Sequence, residues 1–437
     1  MNKRCLIPFF TALLVMGSVI ASGAGEVSAT SLGPIRAWGW NSYGELGDGS
    51  TVAHNVPEQI TGINGAIALA AGSNHSLALK ADGTVWAWGY NYYGQVGDGT
   101  YLDRHLPVQV SGLTNVIAIA GGAGHSIALK ADGTVWAWGS NGQLGNGSAI
   151  NSNIPVQVAG LSGVKSIACG GYHSLALKND GTVWTWGANS YGQLGDGSTT
   201  QGVTPVQVSG LGNVVAVAGG DYHSLAVKSD GTVWAWGANF DGQLGDTTNN
   251  NRLTPVQVNS LTGIVIVSAG VAHSAALDNN GSVWAWGNNS NGQVGDNSTL
   301  SRTTPVKINN LSNVSTISCG GYHTLALKND GTVWAWGANW DGQLGDGSTV
   351  DRHAPVQVVG VSGAATIAAG GGQNLVFTDT RWDINGDRVC DVLDLISVGN
   401  SIGLSGASGW IPQDVNRDGT IDVLDLISVG NNIGQTY

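Results

Sequence analysis

A fifty-residue self-similarity constrains this chain more than any other feature. The tryptophan of a Trp-Gly pair returns at Trp38, Trp88, Trp138, Trp186, Trp236, Trp286 and Trp336, a constant step broken once by a two-residue deletion. Seven copies of about fifty residues read as a propeller or a solenoid. Within one copy, His125 to Lys130 and Thr134 to Gly139 are short β-prone runs, and Asp132-Gly133 between them supplies the positive φ angles of a tight hairpin. Val116 to Ala120 before them and Pro155 to Val158 after them complete four strand candidates per copy. Alanine and glycine dominate the first, as the crowded inner wall of a ring requires. A proline opens the fourth, which suits an outer edge strand that can spare an amide donor. Four short strands repeated seven times make an all-β seven-bladed β-propeller.

A count of parts predicts how the ring closes. Every strand type occurs seven times if Gln373 to Phe377 is the last second strand, but the Asp-Gly or Asn-Gly turn occurs only six times, at Gly83, Gly133, Gly181, Gly231, Gly281 and Gly331. One blade must therefore be stitched from both chain ends. Ile35 to Gly39 and Pro57 to Ile60 are expected to pair with Ala365 to Ala369 and Leu375 to Phe377, which removes the open edges of a linear stack.

Charge and cysteine usage narrow the function classes. The net charge of −12 and the lack of any Lys or Arg run exclude a phosphate-tracking footprint, so no nucleic acid partner is expected. Lys3 and Arg4 precede an apolar run from Cys5 to about Ala21, with small residues around Ala24 and Ala29, the pattern of a secretory signal over 1–29. The mature protein is expected to be secreted or held at the cell surface, without a membrane span. Cys169 and Cys319 stand at equivalent positions three repeats apart, outside disulfide reach in a ring, and read as small core residues.

Gly-x-x-His-Ser-Leu-Ala-Leu, Asp-Gly-x-Val-Trp-x-Trp-Gly and Gly-Gln-Leu-Gly-Asp-Gly, as they stand from Gly170 to Gly197, resemble the regulator of chromosome condensation repeat family over about residues 31 to 379. The resemblance implies a seven-bladed propeller over 30–380. It also points to a founding member that is a nucleotide exchange factor for a nuclear small GTPase and binds nucleosomes. This chain reads as exported, lacks a basic tail and has nearly uniform repeats that leave no room for an inserted wedge, so exchange-factor-like activity is the weakest of the readings.

His75, His125, His173, His223, His273 and His323 recur identically in each blade, which points to one repeated local hydrogen bond rather than to convergence on a metal ion. Asp48, Asp98, Asp196, Asp246, Asp296 and Asp346 recur likewise, and Arg104, Arg252, Arg302 and Arg352 are expected to pair with such aspartates as blade-to-blade fasteners. What varies between copies is more informative. Trp40 and Tyr43, then Tyr90, Tyr92 and Tyr93, then Tyr191, Phe240 and Trp340 stand in the loops after the Trp-Gly, and Tyr172, Tyr222 and Tyr322 precede a histidine. In an up-and-down blade both loops emerge on one face. These aromatics are the candidate ligand face, suited to stacking on sugars or to protein contact; the alternative is packing between blades.

At Trp382 the chain changes character. Asp383, Asn385, Asp387, Asp391 and Asp394 occupy positions 1, 3, 5, 9 and 12 of a calcium loop, with the Val389 carbonyl at position 7. Asp414, Asn416, Asp418, Asp422 and Asp425 repeat the spacing, with Thr420 at position 7. Hard oxygen ligands so spaced are what Ca²⁺ requires. Each loop runs into Leu-Ile-Ser-Val-Gly-Asn, and the pair resembles a type I dockerin, a small α-helical EF-hand-like domain over 381–437. The resemblance implies a cohesin-like or cell-surface partner, contacted by loop positions 10 and 11, here Val392, Leu393, Val423 and Leu424, which could equally be core.

Three function classes follow: a secreted binding or scaffold propeller, a polysaccharide-degrading component carried by the dockerin-like module, and a wall-associated structural protein. Nearly all propeller aspartates recur by blade, and Glu45 and Glu58 are the only glutamates beyond Glu26, so no distinctive carboxylate pair for glycoside hydrolysis stands out. Binding without catalysis is the favoured class.

Arg388 replaces the position-6 glycine of the first calcium loop, whereas Gly419 keeps the sharp turn in the second. Calorimetric titration of the full chain with Ca²⁺ should therefore show a larger affinity loss for Asp414→Ala than for Asp383→Ala. Equal losses, or no calcium heat at all, would contradict the assignment.

Overall fold

The computed structural model describes residues 32–379. Their strands form seven four-stranded antiparallel sheets arranged as the blades of a propeller. Blades 1 to 6 run in chain order over 66–109, 116–157, 164–207, 214–257, 264–307 and 314–357. Blade 7 takes its inner strands from Ala364–Ala369 and Gln373–Asp379 and its outer ones from Leu32–Gly39 and His54–Gln59, so both ends of the propeller close one sheet as the turn count requires. The first strands and the glycine loops after them line the central channel.

The core lies between sheets rather than within them. In blade 1 the second strand, His75–Lys80, is buried on both sides because a neighbouring blade covers each face. Leu77, Leu79, Val85 and Ala87 pack on Ala128 and Trp138 of blade 2, while Ala78 and Trp88 turn the other way, onto Leu46 and Leu375 of blade 7. Large side chains on one face meet alanine and one tryptophan on the next, so that the two faces interdigitate. Seven such clusters occupy the seven junctions.

Polar bonds lock each seam in register. His75 Nε2 lies 2.7 Å from Ser126 Oγ, and that hydroxyl donates to the Gln95 carbonyl at 2.9 Å, which also accepts the Trp138 indole N–H at 2.8 Å. The serine has one hydrogen and gives it to Gln95, so His75 donates from Nε2. Its bare Nδ1 packs on Gly72, where a β-carbon would collide with the ring. The same histidine contact repeats from His125, His173, His223 and His273 to Ser174, Ser224, Ser274 and Thr324, and from His323 to Asn374. Burial pushes His75 from 6.5 down to about 3, so its imidazole is neutral.

Two expectations need correction. The fourth strand of blade 2 is Ser152–Gln157, so Pro155 lies inside it rather than opening it; this strand pairs on one side only, and the lost amide costs no ladder bond. The arginines pair with their aspartates within a blade, not between blades. Arg104 Nε donates to Asp98 Oδ2 at 2.6 Å across the loop joining the third and fourth strands of blade 1, and Arg252, Arg302 and Arg352 do likewise. Cys169 and Cys319 are free thiols that line the channel.

Glu45 replaces the glutamine in blade 7. Its Oε2 accepts the Tyr43 N–H at 2.8 Å, as Gln95 Oε1 accepts that of Tyr93, but Oε1 has no hydrogen-bond partner, and burial pushes the carboxyl from 4.5 up to about 7. A raised acid stabilises fully below about 4.5 and loses that contribution as the pH rises through 7. Glu45→Gln should therefore raise the melting temperature at pH 8, by up to roughly 3 kcal/mol of stability at about 1.4 kcal/mol per pKa unit, and change little at pH 4.5. The histidines act with the opposite sign: below 6.5 the unfolded chain takes up protons that the fold refuses. Thermal melts of the unaltered protein should drop between pH 7 and 4.5, and a flat profile would contradict buried neutral imidazoles.

Candidate functional site

One face of the ring carries the loops between first and second strands and those between third and fourth. A buried asparagine builds each long loop of the second kind. Asn91 Oδ1 accepts the Val96 N–H at 2.9 Å while Nδ2 donates to the carbonyls of Thr100 and Leu102 at 3.2 and 3.0 Å. Asn41, Asn189, Asn239, Asn289 and Asn339 repeat this pattern. Burial alone would raise Asp98, but the hydroxyl and amide of Thr100 and the Arg104 guanidinium hold it below the usual carboxylate range. Because the loop backbone is fixed from inside, the residues at its tip are free to vary.

The structure places the aromatic candidates on this face, and all but Trp40 fall into three groups. Tyr43, Tyr90, Tyr92 and Tyr93 form the first, with centroids of Tyr43 and Tyr90 4.6 Å apart and Tyr92 and Tyr93 at 5.1 Å edge to face. Tyr93 lies over Gly124 of blade 2, where a side chain would crowd the ring. Tyr172 and Tyr222 stack at 5.0 Å, and Tyr191 meets both Tyr222 and Phe240 edge-on, making the second group across blades 3 and 4. Tyr322 and Trp340 pair at 5.9 Å in blade 6. Two blades interrupt the rim. In blade 2 the two-residue deletion shortens the loop to a turn at Asn141–Gln143, and in blade 5 the tip is Ser290 and Asn291. Packing and ligand-facing roles divide among these rings. Tyr92, Phe240 and Trp340 are 66, 59 and 54% exposed, whereas Trp40 is half-buried against the Glu45 carboxyl.

Charge divides between the two faces. Lys80, Lys130, Lys178, Lys228 and Lys328 end second strands on the opposite side, each 5.2 to 5.8 Å from the ring centre of the first tryptophan in its Trp-x-Trp. The arginines of the aromatic face are neutralised by their loop aspartates. Asp221 and Asp341 are among the aspartates of this face that form no ion pair within the described residues; burial pushes Asp221 up to about 6 and raises Asp341. Neither was picked out from sequence. The signal was present in a break of the repeat, since Asp221 stands where blades 3 and 6 have Gly171 and Gly321.

The two candidate calcium loops, Asp383 to Asp394 and Asp414 to Asp425, and the docking candidates Val392, Leu393, Val423 and Leu424 lie outside the described residues, as does the candidate export segment.

Comparison with known proteins agrees with the geometry. The sequence matches the RCC1-like domain over 5–277 and the regulator of chromosome condensation (RCC1) repeat over 280–327 and 330–377. Human WBSCR16 is 26% identical with a TM-score of 0.73, over 79% of this chain and 99% of that one. Prp20p from Saccharomyces cerevisiae, described with its binding to Gsp1p and histones, is 23% identical with a TM-score of 0.72, over 80% and 92%. The same yeast protein bound to Kap60 is 22% identical with a TM-score of 0.73, over 86% and 96%. With the family match running through more than half of its length, this chain belongs to the RCC1-like domain family.

Proposed function

We propose that this protein is an exported binding propeller whose aromatic loop face engages a protein partner, and whose C-terminal module attaches it to a cohesin-like or cell-surface partner in a calcium-dependent way. The observation that carries the first half is the set of exposed rings, Tyr92, Phe240 and Trp340, held on loops whose backbones are fixed from within. Exposed aromatics on rigid supports give contact area at low ordering cost, which favours association. A protein ligand is compatible with the fold shared with Prp20p, a propeller described as binding Gsp1p, histones and Kap60. A carbohydrate ligand is the second reading, supported by the same flat rings.

The second half rests on sequence: the ligand spacing of Asp383, Asn385, Asp387, Val389 and Asp394, and of Asp414, Asn416, Asp418, Thr420 and Asp425, supplies hard oxygen donors for Ca²⁺. Export rests on the charged and apolar leader. A polysaccharide-degrading component, glycosidase or lyase, carried by the dockerin-like module is the alternative that the same segment supports. The recurring aspartates argue against catalysis, because Asp98, Asp246, Asp296 and Asp346 are committed to loop arginines.

The test is to probe arrays of surface proteins and glycans with the mature chain and with Tyr92, Phe240 and Trp340 all changed to alanine. Binding to a protein spot should fall at least tenfold in the triple variant, while its melting temperature stays within a few degrees. Unaltered binding would overturn the aromatic-face reading, and loss confined to glycan spots would replace the protein ligand with a carbohydrate.

A further inference from the structure

Where the first strands end, each blade contributes one residue after a glycine to the mouth of the central channel. Ser73, Gly171, Val271, Gly321 and Gly371 are small or apolar, and among the described residues Asp221 of blade 4 is the only charged one lining the cavity of about 200 Å³ that opens there. The Asp221 carboxylate leans over the adjoining blade: its Oδ1 occupies the space that a β-carbon on Gly171 would need. Beside it stand the stacked rings of Tyr172 and Tyr222, with Tyr191 edge-on behind. No N–H or O–H donor to this carboxylate is found among the described residues, and burial alone moves its ionisation. The other recurrent loop carboxylates of this face have an arginine or a hydroxyl.

A carboxylate partly stripped of water and left without a donor is costly unless a cation meets it. The cation does not come from the propeller itself, whose strand-ending lysines are on the opposite face and whose loop arginines are engaged. We propose that Asp221, Tyr172 and Tyr222 form an acceptor site for a lysine or arginine side chain that a protein partner inserts at the channel mouth. The carboxylate pairs with the ammonium or guanidinium group, the tyrosine faces attract it further, and the small-residue channel wall gives room for the alkyl stem. A protein is the source because the site adjoins the exposed Phe240 and sits on a face where Asp341 is also uncompensated, so one inserted side chain is flanked by further surface for its own backbone. This assignment rests on the protein-binding reading of the aromatic face and specifies its chemistry.

The probe is a fluorescently labelled hexalysine peptide, with its six side-chain amines free or all acetylated, in anisotropy titrations against the full chain at 0.15 M salt, where bulk attraction is screened beyond about 8 Å. Free hexalysine should bind and the acetylated form should not. Asp221→Asn should weaken hexalysine at least fivefold and melt no lower than the parent, since it removes a desolvated charge. Asp180→Asn, on the opposite face, should leave binding unchanged. Equal weakening by both substitutions, or none by Asp221→Asn, would overturn the site, and lysine amide binding as tightly as hexalysine would overturn the protein source. On the array, binding lost in the triple aromatic variant but intact in Asp221→Asn would keep the aromatic-face reading and discard this site. Array binding indifferent to the triple variant, with hexalysine still requiring Asp221, would do the reverse.

Discussion

The propeller depends on one backbone carbonyl shared across a seam, a contact made at six of the seven junctions by Glu45, Gln95, Gln193, Gln243, Gln293 and Gln343. Gln95 O accepts from both Ser126 and Trp138 of the next blade, and His75 supplies the serine with its remaining partner. All the groups are buried, so an unmet donor or acceptor there would cost about 1–3 kcal/mol, whereas a made bond contributes about 1. The penalty for misregister at a seam is thus larger than the gain from any single bond. Sheets that slide or rotate against each other lose all three contacts together, and this defines the angle at which each blade leans on the next.

Blade 7 shows that the chemistry matters more than the residue. Asn374 stands where other blades have serine or threonine. Its Oδ1 accepts from His323 and its Nδ2 donates to Gln343 O, reproducing both halves of the hydroxyl's role. Gln373 replaces the histidine and sends Nε2 to the carbonyls of Gly72 and His75 in blade 1. Trp38, from the other chain end, completes the seam by donating to Gln343 O at 3.1 Å. The closure is therefore polar as well as steric, and a seam assembled from distant segments obeys the same rule as the contiguous ones.

The rigidity of the seams and of the asparagine-centred loops explains where variation is tolerated. Positions committed to a carbonyl, a tryptophan cavity or a glycine gap recur in blade after blade, while loop tips and the residue after the channel glycine change freely. The exposed rings and Asp221 both occupy such positions. Recognition chemistry is consequently carried by what the scaffold leaves unconstrained, and its placement is precise because the scaffold beneath it is not free to move.

The repeat by itself determined the blade number, the closure by both chain ends, the structural role of the histidines and the common face of the aromatics, because each follows from counting strands and from the alternation of loops along an up-and-down sheet. Strand limits were less legible: nothing in Pro155 indicates that pairing begins three residues earlier, since an edge strand tolerates a proline at several positions. Only the tertiary structure decided which periodic residues meet. Arg104 and Asp98 pair within one blade because both belong to the same loop, whereas His75 reaches fifty-one residues ahead because blades lean tangentially. Tyr172 stacks on Tyr222 while Tyr43 gathers with the tyrosines of blade 1, and Asp221 finds no donor among the described residues. Those outcomes depend on the offset and tilt between neighbouring sheets, which periodicity along one chain does not encode.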